Sequence, residues 1–514
     1  MRPPDQKEGT NTRSFALTIL ITFFCVSCAF NGTRKSVQYT AEPAPAQISI
    51  ARALALPEEN LKAKTGIYTL ENGGKSFTSR LWLVDHTQKS IDIQYYSFAS
   101  DITGTIVWDH ILRAADRGVK VRLLIDDAAS LMRSHEIRLL DSHDNIEIRV
   151  YNAGLMLGRL DRRIQKLGRN FNRLLRRMHN KAMVFDGQVC ITGGRNIANQ
   201  YFDYDDRFNF RDRDVLLIGK AVSGVTSSFD KFWNDSLTVV YSELSGKSKK
   251  KQYGDAERFE KIHADAAKDY SQSLRDKVKA FPAEIDAATK TGELVWVSNA
   301  AYISDVPGKN ENRKDREGGI CTDSLICLLQ QAKKTIDIQS PYFITTELSK
   351  KLLRDAVQRG VKIRLLTNSL ASIDNIEAYS GYQKDRPGLL ETGALIYEFK
   401  PDSKERYKLM IPEVQEGLNY KPVYGFHSKT IVIDGYISVI GSYNFDPRSA
   451  NYNTECIAII RSEEVAKNLL KHIEEEFQPE NSWRVTKEYN PDKEAGIKKR
   501  IQAATKRILP KKLL

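Results

Sequence analysis

The chain carries two copies of a short pattern, His-x-Lys-x4-Asp, whose side chains can act together on a phosphodiester. The residues of the two copies are His179, Lys181, Asp186, His427, Lys429 and Asp434. One neutral imidazole can attack phosphorus while a second, protonated imidazole donates a proton to the leaving alkoxide. Lysine ammonium groups supply fixed positive charge for the anionic oxygens. The pattern therefore predicts a two-histidine site for phosphoryl chemistry that uses no metal ion and no cofactor.

Each copy is followed at equal spacing by a turn of small residues and an asparagine, at 193–196 and 441–444. A single His-x-Lys-x4-Asp is a weak motif, but two copies with matching asparagines form a duplicated block and are specific. We expect each turn to bring Asn196 or Asn444 back near its histidine. The two amides, together with the Ser442 hydroxyl, are predicted to bind or orient the phosphate.

The duplication includes the elements that must position these side chains. Segments 90–94 and 335–339 alternate apolar and polar residues like half-buried strands, and each precedes a stretch with helical spacing. Segments 117–124 and 359–366 then read as a glycine-terminated helix followed by a buried strand. The sequence thus predicts two similar α/β halves, at about 60–245 and 290–480.

Strand parity separates the residues of each motif. Alternation along the second motif places His427 and Lys429 on one face, so their side chains project together. Asp186 and Asp434 are part of the predicted catalytic set, but they lie at the opposite parity from their histidines. We therefore expect these two carboxylates to anchor the two halves and not to contact phosphate.

Three further segments are predicted outside the two halves. Residues 1–59 contain an apolar run at 15–28 after basic residues, which favours a secretory leader or membrane anchor; the alternative is a buried N-terminal helix. The run ends in a pattern that resembles a bacterial lipoprotein signal, in which Cys28 would be lipidated. This favours a location at the bacterial cell envelope. Residues 246–289 read as a charged linker with one or two peripheral helices, and 481–514 as a basic tail.

The net charge of +13 fits an anionic partner, either nucleic acid or an acidic membrane surface. Segment 155–177 holds eight basic residues and one acidic residue just before the first motif. We expect this segment to dock on anionic lipid, or alternatively to be an ordinary solvated helix. Its predicted docking residues are Arg162, Arg163, Arg173 and Arg176. The C-terminal segment 493–514 repeats the basic, amphipathic pattern. It is likewise expected either to contact the membrane or to be an ordinary solvated segment.

The paired motifs, the Gly-Ser-x-Asn turn and segment 444–449 resemble the phospholipase D superfamily, and most closely the C-type bacterial cardiolipin synthases. The resemblance covers about residues 60–514. It implies two phospholipase D-like α/β sandwich domains, fused as a pseudo-twofold pair around one active site. It also implies transfer of a phosphatidyl group, through a phosphohistidine, onto phosphatidylglycerol. The donor would be a second phosphatidylglycerol or phosphatidylethanolamine.

The resemblance further implies that an acidic residue on a neighbouring strand hydrogen-bonds each catalytic histidine. Glu455 matches that position in the second half. In the first half Asp212 matches best, with Asp214 as the second candidate. The alternative for Asp212 is a strand-edge ion pair with Arg211 or Arg213.

Three other functions remain compatible with these motifs. A phospholipase D could pass the phosphatidyl group to water or another alcohol. A phosphodiesterase nuclease would explain the basic charge, but superfamily nucleases are commonly one-motif chains that dimerise, and the apolar leader favours lipid. Nucleic acid is therefore disfavoured as a partner. An inactive binding module is disfavoured because both motifs are complete.

Overall fold

The computed structural model describes residues 49–127, 132, 134–153, 176–245, 255–310, 318–410, 422–508 and 510–511. All of them fall within one compact unit, Ala44–Leu514. The apolar leader with Cys28 lies outside the described residues, as do Arg162, Arg163 and Arg173.

The first half is built on a mixed β-sheet. Its strands are β1 Thr65–Leu70, β2 Ser90–Tyr95, β3 Lys120–Asp126, β4 Ile146–Tyr151, β5 Ala182–Phe185, β6 Val189–Gly193, β8 Asp214–Gly219, β9 Thr238–Val240 and β10 Val295–Val297. They pair in the order β10-β1-β8-β6-β5-β2-β3-β4-β9. Strands β2, β3 and β4 run parallel, and the pairs from β5 to β8 are antiparallel.

The second half repeats this sheet. Its strands are β11 Ala300–Ser304, β12 Thr335–Gln339, β13 Lys362–Asn368, β14 Leu395–Phe399, β16 Thr430–Ile433, β17 Ile437–Gly441, β18 Cys456–Arg461 and β19 Ser482–Val485. They pair in the order β11-β18-β17-β16-β12-β13-β14-β19. The central order β18-β17-β16-β12-β13-β14 matches β8-β6-β5-β2-β3-β4 of the first sheet. The predicted duplication is therefore confirmed at the level of topology.

Helices connect the strands and cover the sheets. Those of the first half are Ile50–Ala53, Glu58–Ala63, Gly73–His86, Ile102–Asp116, Ser134–Asp141, Val222–Trp233 and Tyr241–Ser245. Those that follow are Asp255–Asp269, Gln272–Lys279, Phe281–Thr291, Ile320–Gln331, Glu347–Gln358, Ile376–Leu390, Arg406–Leu409, Pro447–Asn451, Glu463–Glu476 and Ile497–Lys506, with 3-10 turns at Asn199–Tyr201 and Pro491–Glu494. Side-chain caps start the two crossover helices. Asp101 accepts a hydrogen bond from the Gly104 amide, and Thr346 with Ser349 forms a capping box.

The two sheets share a central apolar layer. Val184 and Leu217 of the first sheet are buried in one cluster with Val432, Ile440 and Ala458 of the second sheet. Separate apolar cores lie between each sheet and its own helices. Packing the two halves against each other removes both inner sheet faces from water, which favours a fixed arrangement of the halves.

The segment boundaries differ from those predicted, because the chain crosses between the halves. Strand β10 lies in the predicted second half, yet it pairs with β1 as the edge of the first sheet. Strand β19 lies in the predicted tail, yet it pairs with β14. The predicted linker contains helices whose apolar faces, including Phe281 and Ile285, are buried in the core of the first half. Their helical spacing was visible in the sequence, but their packing partner was not.

Backbone pairing joins the two halves where the motif strands begin. Strand β7, Phe208–Arg211, pairs in parallel with β15, Val423–Phe426, immediately before the second motif. The pseudo-symmetric contact is a parallel bridge between Met178 and Thr454. Each motif histidine therefore starts from a backbone position that the other half fixes.

A buried ionic cluster strengthens the same interface. Its members are Glu71, Arg211 and Arg213 of the first half and Gln339, Thr430 and Glu476 of the second half. Arg213 contacts Glu71 at 2.7 Å and donates to Gln339 at 2.6 Å. Arg211 pairs with Glu71 and, at 2.7 Å, with Glu476. Arg211 and Arg213 thus pair with these glutamates and not with Asp212.

Candidate active site

The first motif histidine is held between the two halves. The His179 amide donates to the Thr454 carbonyl at 2.9 Å, and its Nδ1 lies 2.8 Å from Glu455 Oε2. The Tyr96 ring packs edge-on against the imidazole, with 5.1 Å between ring centroids. The His179 side chain is buried but retains 10% exposure.

The second motif histidine repeats this arrangement. The His427 amide donates to the Arg211 carbonyl at 2.7 Å, and its Nδ1 lies 2.6 Å from Asp212 Oδ2. The rings of Tyr201 and Phe210 contact the imidazole, at centroid distances of 5.2 and 4.8 Å. The two histidines therefore share the same kinds of backbone and carboxylate contact, whereas their aromatic neighbours differ.

The histidine–carboxylate pairs cross the interface between the halves. Glu455, in the second half, binds the histidine of the first half, and Asp212, in the first half, binds that of the second. Asp214, the second candidate in the sequence, accepts from Ser76 and Arg80 instead. The motif residues of both halves thus belong to a single site.

These carboxylates fix the tautomer of each imidazole. A carboxylate only accepts hydrogen bonds, so it favours the neutral tautomer with the proton on Nδ1 and the lone pair on Nε2. At His427, Lys429 Nζ also lies 2.9 Å from Nδ1. The Glu455 carboxylate is itself oriented by the hydroxyls of Ser442 and Ser449, at 2.5 and 2.7 Å. Nε2 is therefore the atom of each histidine that can attack phosphorus or exchange a proton.

The motif lysines lie beside both imidazoles. Lys181 Nζ donates to the His179 carbonyl at 2.8 Å, and Lys429 Nζ to the His427 carbonyl at 2.5 Å. Burial lowers the pKa of Lys181 to about 8 and that of Lys429 to about 7, although Glu455 and Asp212 oppose the shift. Two buried ammonium groups at one site form a binding site for an anion.

The histidines are neutral in the free site. Burial lowers the pKa of His179 to about 4; Glu455 opposes this shift, whereas Lys181 adds to it. Burial and the Lys429 charge lower the pKa of His427 to about 3. A phosphodiester held between the lysines would offset their repulsion and raise the pKa of both imidazoles. One imidazole can then attack as the neutral base while the other carries the proton for the leaving group.

The predicted asparagines and Ser442 occupy different positions around this anion-binding site. Asn196 Nδ2 donates to the Tyr201 hydroxyl at 2.9 Å, and Tyr201 in turn contacts the His427 ring. Asn444 is buried, and its Oδ1 has no hydrogen-bond partner among the described residues. The Ser442 hydroxyl is committed to Glu455, so it orients that carboxylate and does not face a phosphate.

The motif aspartates lie at the other end of their strands. Asp186 accepts hydrogen bonds from the backbone amides of Lys89 and Ser90, at 2.7 and 3.1 Å. Asp434 accepts from those of Lys334 and Thr335, at 2.6 and 3.0 Å. Each aspartate ties the turn after its motif strand to the start of β2 or β12. Asp186 and Asp434 are therefore not catalytic groups, and each stabilises its own half and not the contact between halves.

Arg176 is a member of the predicted docking set that the structure describes, and it faces the protein. It is half-buried and donates to the Asn310 carbonyl at 2.9 Å. The sequence could not show this contact, because Asn310 is distant in the chain and follows no motif. Arg176 is therefore better described as an interface residue than as a lipid-docking one.

Several residues of the site were not found from the sequence. Tyr96 follows the strand that precedes the first motif, and Tyr201 and Ser449 follow the two asparagine turns. Their positions after duplicated segments were a usable signal. Gly194 was also missed: it replaces Ser442 in the first half, and a Cβ there would lie 2.1 Å from Asp212 Oδ1. Within the described ranges, no group of three or more His, Cys, Asp or Glu side chains could hold a metal ion.

The lysine pKa values predict the alkaline limit of activity. The lysines must be protonated to bind an anion, and their lowered pKa values of about 7 and 8 mean that this charge is lost at unusually low pH. The histidines stay neutral down to about pH 4. The reaction also needs one protonated imidazole, and burial lowers the pKa of His179 to about 4 and that of His427 to about 3. We therefore expect kcat/KM on a soluble phosphodiester to fall gradually as the pH rises above about 5, and to fall more steeply above about pH 7 to 8, where the lysines lose their charge.

The measurement is a pH profile of kcat/KM, with Lys429→Arg as the comparison. Arginine keeps its charge at these pH values. The alkaline fall in kcat/KM of an active Lys429→Arg enzyme should therefore shift upward from about pH 7 to about pH 8, where Lys181 loses its proton. A wild-type profile that stays flat to pH 10 would contradict this assignment.

The chain matches a protein-family model and is similar to named proteins of other bacteria. A family model described as "Cardiolipin synthase, PLD-like domain" matches residues 82–233 and 325–478. The chain is 34% identical to Cardiolipin synthase C of Escherichia coli, over 78% of this chain and 82% of that protein. It is 24% identical to Cardiolipin synthase 1 of Bacillus cereus, over 87% of this chain and 72% of that protein.

A solved structure shares the fold. The crystal structure of a phosphatidylserine synthase from Haemophilus influenzae Rd KW20 superposes with a TM-score of 0.57, at 13% identity, over 90% of this chain and 99% of that chain. At this identity the likeness concerns the arrangement of the two halves alone.

Proposed function

Because the chain belongs to the family of cardiolipin synthase, phospholipase D-like domain proteins, we propose that it is a cardiolipin synthase. It is a phosphatidyltransferase that passes a phosphatidyl group from one phospholipid to phosphatidylglycerol. The observation that carries this proposal is the pair of crossed contacts, His179 with Glu455 and His427 with Asp212. They supply two oriented imidazoles beside two lysines, which are the groups that such a transfer requires.

The first step forms a covalent intermediate. Nε2 of one histidine, assigned as His179 by family resemblance, attacks phosphorus, and the bond from phosphorus to the leaving headgroup oxygen breaks. His427, protonated, gives its proton to that oxygen. Lys181 and Lys429 neutralise the equatorial oxygens, on which negative charge accumulates. The products are a phosphatidyl-histidine and a free headgroup alcohol.

The second step reverses these roles. A hydroxyl of phosphatidylglycerol attacks phosphorus, and neutral His427 takes the hydroxyl proton. The phosphorus–nitrogen bond breaks, His179 is regenerated, and the new phosphodiester joins two phosphatidyl groups through one glycerol. Exclusion of water from this buried site favours transfer to the lipid alcohol over hydrolysis.

The direct test supplies purified protein with phosphatidylglycerol vesicles, with and without phosphatidylethanolamine, and separates the lipid products. We expect cardiolipin to form, and to form equally with excess chelator, because the lysines supply the positive charge. Phosphatidate as the main product would indicate a phospholipase D that uses water. Plasmid nicking without lipid turnover would indicate a nuclease. Loss of activity with chelator that persists when vesicle integrity is controlled would contradict the two-lysine mechanism.

We place this reaction at the surface of the bacterial cell envelope. In the described part of the chain, no helix has the length and apolar character needed to cross a membrane. The basic segment before the first motif, with Arg162, Arg163 and Arg173, is proposed to dock on anionic lipid. Each near-surface basic residue contributes about 1 kcal/mol to such binding.

A second docking element is the helix Ile497–Lys506. Lys499 donates to the carbonyls of Ala371 and Ile373 and fixes the helix to the second half. Ile497 is 72% exposed and Ile501 is 60% exposed, next to several basic residues. Apolar side chains displayed among basic ones favour insertion at a lipid interface.

Vesicle co-sedimentation tests both docking elements. Replacing Arg162, Arg163 and Arg173 with Gln should weaken binding to anionic vesicles several-fold at low salt, and the difference should shrink as salt screens charge. Replacing Ile497 and Ile501 with Ser should weaken binding at all salt concentrations. Unchanged binding in both variants would remove these segments from the proposal.

A further inference from the structure

An apolar cavity of about 70 Å³ opens in the second half beside the candidate site. It lies between helices Ile320–Gln331 and Glu347–Gln358 and the segment 443–451. Its walls are mainly aliphatic and aromatic, with Leu325, Ile326, Leu329, Ile344, Leu352 and Phe445. Leu348 lines it and is 46% exposed, which leaves an apolar rim at the surface. Apolar walls that open at the surface are typical of a site for an apolar ligand.

The cavity borders on the phosphate end of the site. A smaller cavity of about 10 Å³ borders on Lys429 and shares Leu325, Tyr443 and Phe445 with the larger one. Tyr443 and Phe445 also flank Asn444, the candidate phosphate ligand of the second half. Leu325, Tyr443 and Phe445 therefore form a single wall between Lys429 and the larger apolar cavity.

The first half is built differently at the corresponding positions. Arg80 stands as far before β2 as Leu325 stands before β12, and Arg195 corresponds to Tyr443. Both arginines are 1% exposed, and both pair with Asp214. The duplicated scaffold thus has charged, closely packed groups in one half where the other half has apolar lining.

We propose that this cavity receives part of an acyl chain of the phospholipid whose phosphate is bound at Lys429. The proposal rests on the proposed function, because it takes a phospholipid as the substrate. A phospholipid joins a phosphate to long apolar chains, and the second half offers a lysine and an apolar cavity on either side of one wall. Burying methylene groups at a distance from phosphorus supplies binding energy that can hold the reacting group in place. Because the first half has arginines at these two positions, we expect the two lipids of the reaction to be held differently.

The experiment combines a photoreactive lipid with two cavity-filling variants. The probe is phosphatidylglycerol with a diazirine in one acyl chain, irradiated with the full chain in mixed micelles and mapped by peptide mass spectrometry. We expect cross-links in 320–331, 347–358 or 443–451. Ile326 and Leu352 line the cavity and are half-buried, so Ile326→Trp and Leu352→Trp fill it with little disturbance of the core. The control is Leu395→Trp, on β14 and 37% exposed, which lies outside the cavity lining.

The same proteins are assayed for cardiolipin formation from long-chain and dihexanoyl phosphatidylglycerol. We expect Ile326→Trp and Leu352→Trp to lose the cross-links and to lower the ratio of long-chain to short-chain kcat/KM at least tenfold. Leu395→Trp should keep the wild-type cross-links and ratio. Using the ratio separates an acyl-chain effect from a general loss of folded enzyme.

The outcomes separate this proposal from the proposed function. Cardiolipin formation with cross-links only outside the three segments would overturn the acyl site and leave the synthase function intact. An unchanged chain-length ratio in both tryptophan variants would do the same. Cross-links at the cavity in a wild-type protein that forms no cardiolipin would support the acyl site and overturn the synthase function.

Discussion

His179→Ala and His427→Ala should each lower the rate of phosphatidyl transfer by at least about 10,000-fold. Each variant removes a separate part of a coupled pair: the nucleophile that forms the covalent bond, or the acid and base that serve the leaving and entering oxygens. Because the remaining histidine cannot supply both functions at once, the double variant should be no slower than the worse single variant. Cardiolipin formation under saturating phosphatidylglycerol is the measurement.

Two controls make this result specific. His143→Ala removes a histidine that pairs with Asp116 away from the motifs, and it should keep wild-type activity. Thermal unfolding of all variants should show that the alanine enzymes remain folded. Quenching the wild-type reaction with labelled phosphatidylglycerol and mapping the labelled peptide assigns the nucleophile. A label on His427 would reverse the assigned roles, and substantial turnover by either alanine variant would refute the shared site.

Glu455→Gln and Asp212→Asn should each reduce turnover by about 100- to 10,000-fold, although neither residue touches phosphorus. Each carboxylate holds the proton of an imidazole on Nδ1, at 2.8 Å for His179 and 2.6 Å for His427. An amide of the same shape can donate to Nδ1 and place the proton on Nε2, where the lone pair is needed. The expected loss therefore falls on kcat more than on KM.

A double-mutant cycle tests which histidine each carboxylate serves. Glu455→Gln combined with His179→Ala should cost little more than His179→Ala alone, because both changes disable the same imidazole. Asp206→Asn, at an exposed carboxylate near Asp212 in the sequence, is the matched control and should stay fully active. Retention of a third or more of wild-type turnover by Glu455→Gln would show that tautomer control by this carboxylate is not required.

Much of the fold could be predicted because the duplication is local. Equal offsets in two segments, alternation along β2 and β12, and glycine-terminated helices are all read within a few residues, and they predicted two similar α/β halves. Their pseudo-twofold relation was implied by the resemblance to the phospholipase D superfamily. The parity of Asp186 and Asp434 likewise predicted that their side chains turn away from the histidines.

The remaining features depend on contacts between segments that are distant in the chain. The crossed pairing of His179 with Glu455 depends on how the halves dock, and no periodicity encodes docking. Strand β10 joins the first sheet because β1 leaves an unpaired edge there. The role of Ser442 also required the structure, since a hydroxyl in that turn can serve a phosphate or a carboxylate equally well.

The crossed pairs also make catalytic competence a property of the docked halves. Neither half alone contains an imidazole together with the carboxylate that sets its tautomer, so a chain whose halves separate has no partially active state. The β7–β15 pairing and the Arg211–Glu476 contact hold the halves in the arrangement that forms both pairs. Formation of both histidine–carboxylate pairs thus depends on the same contacts that hold the two halves together.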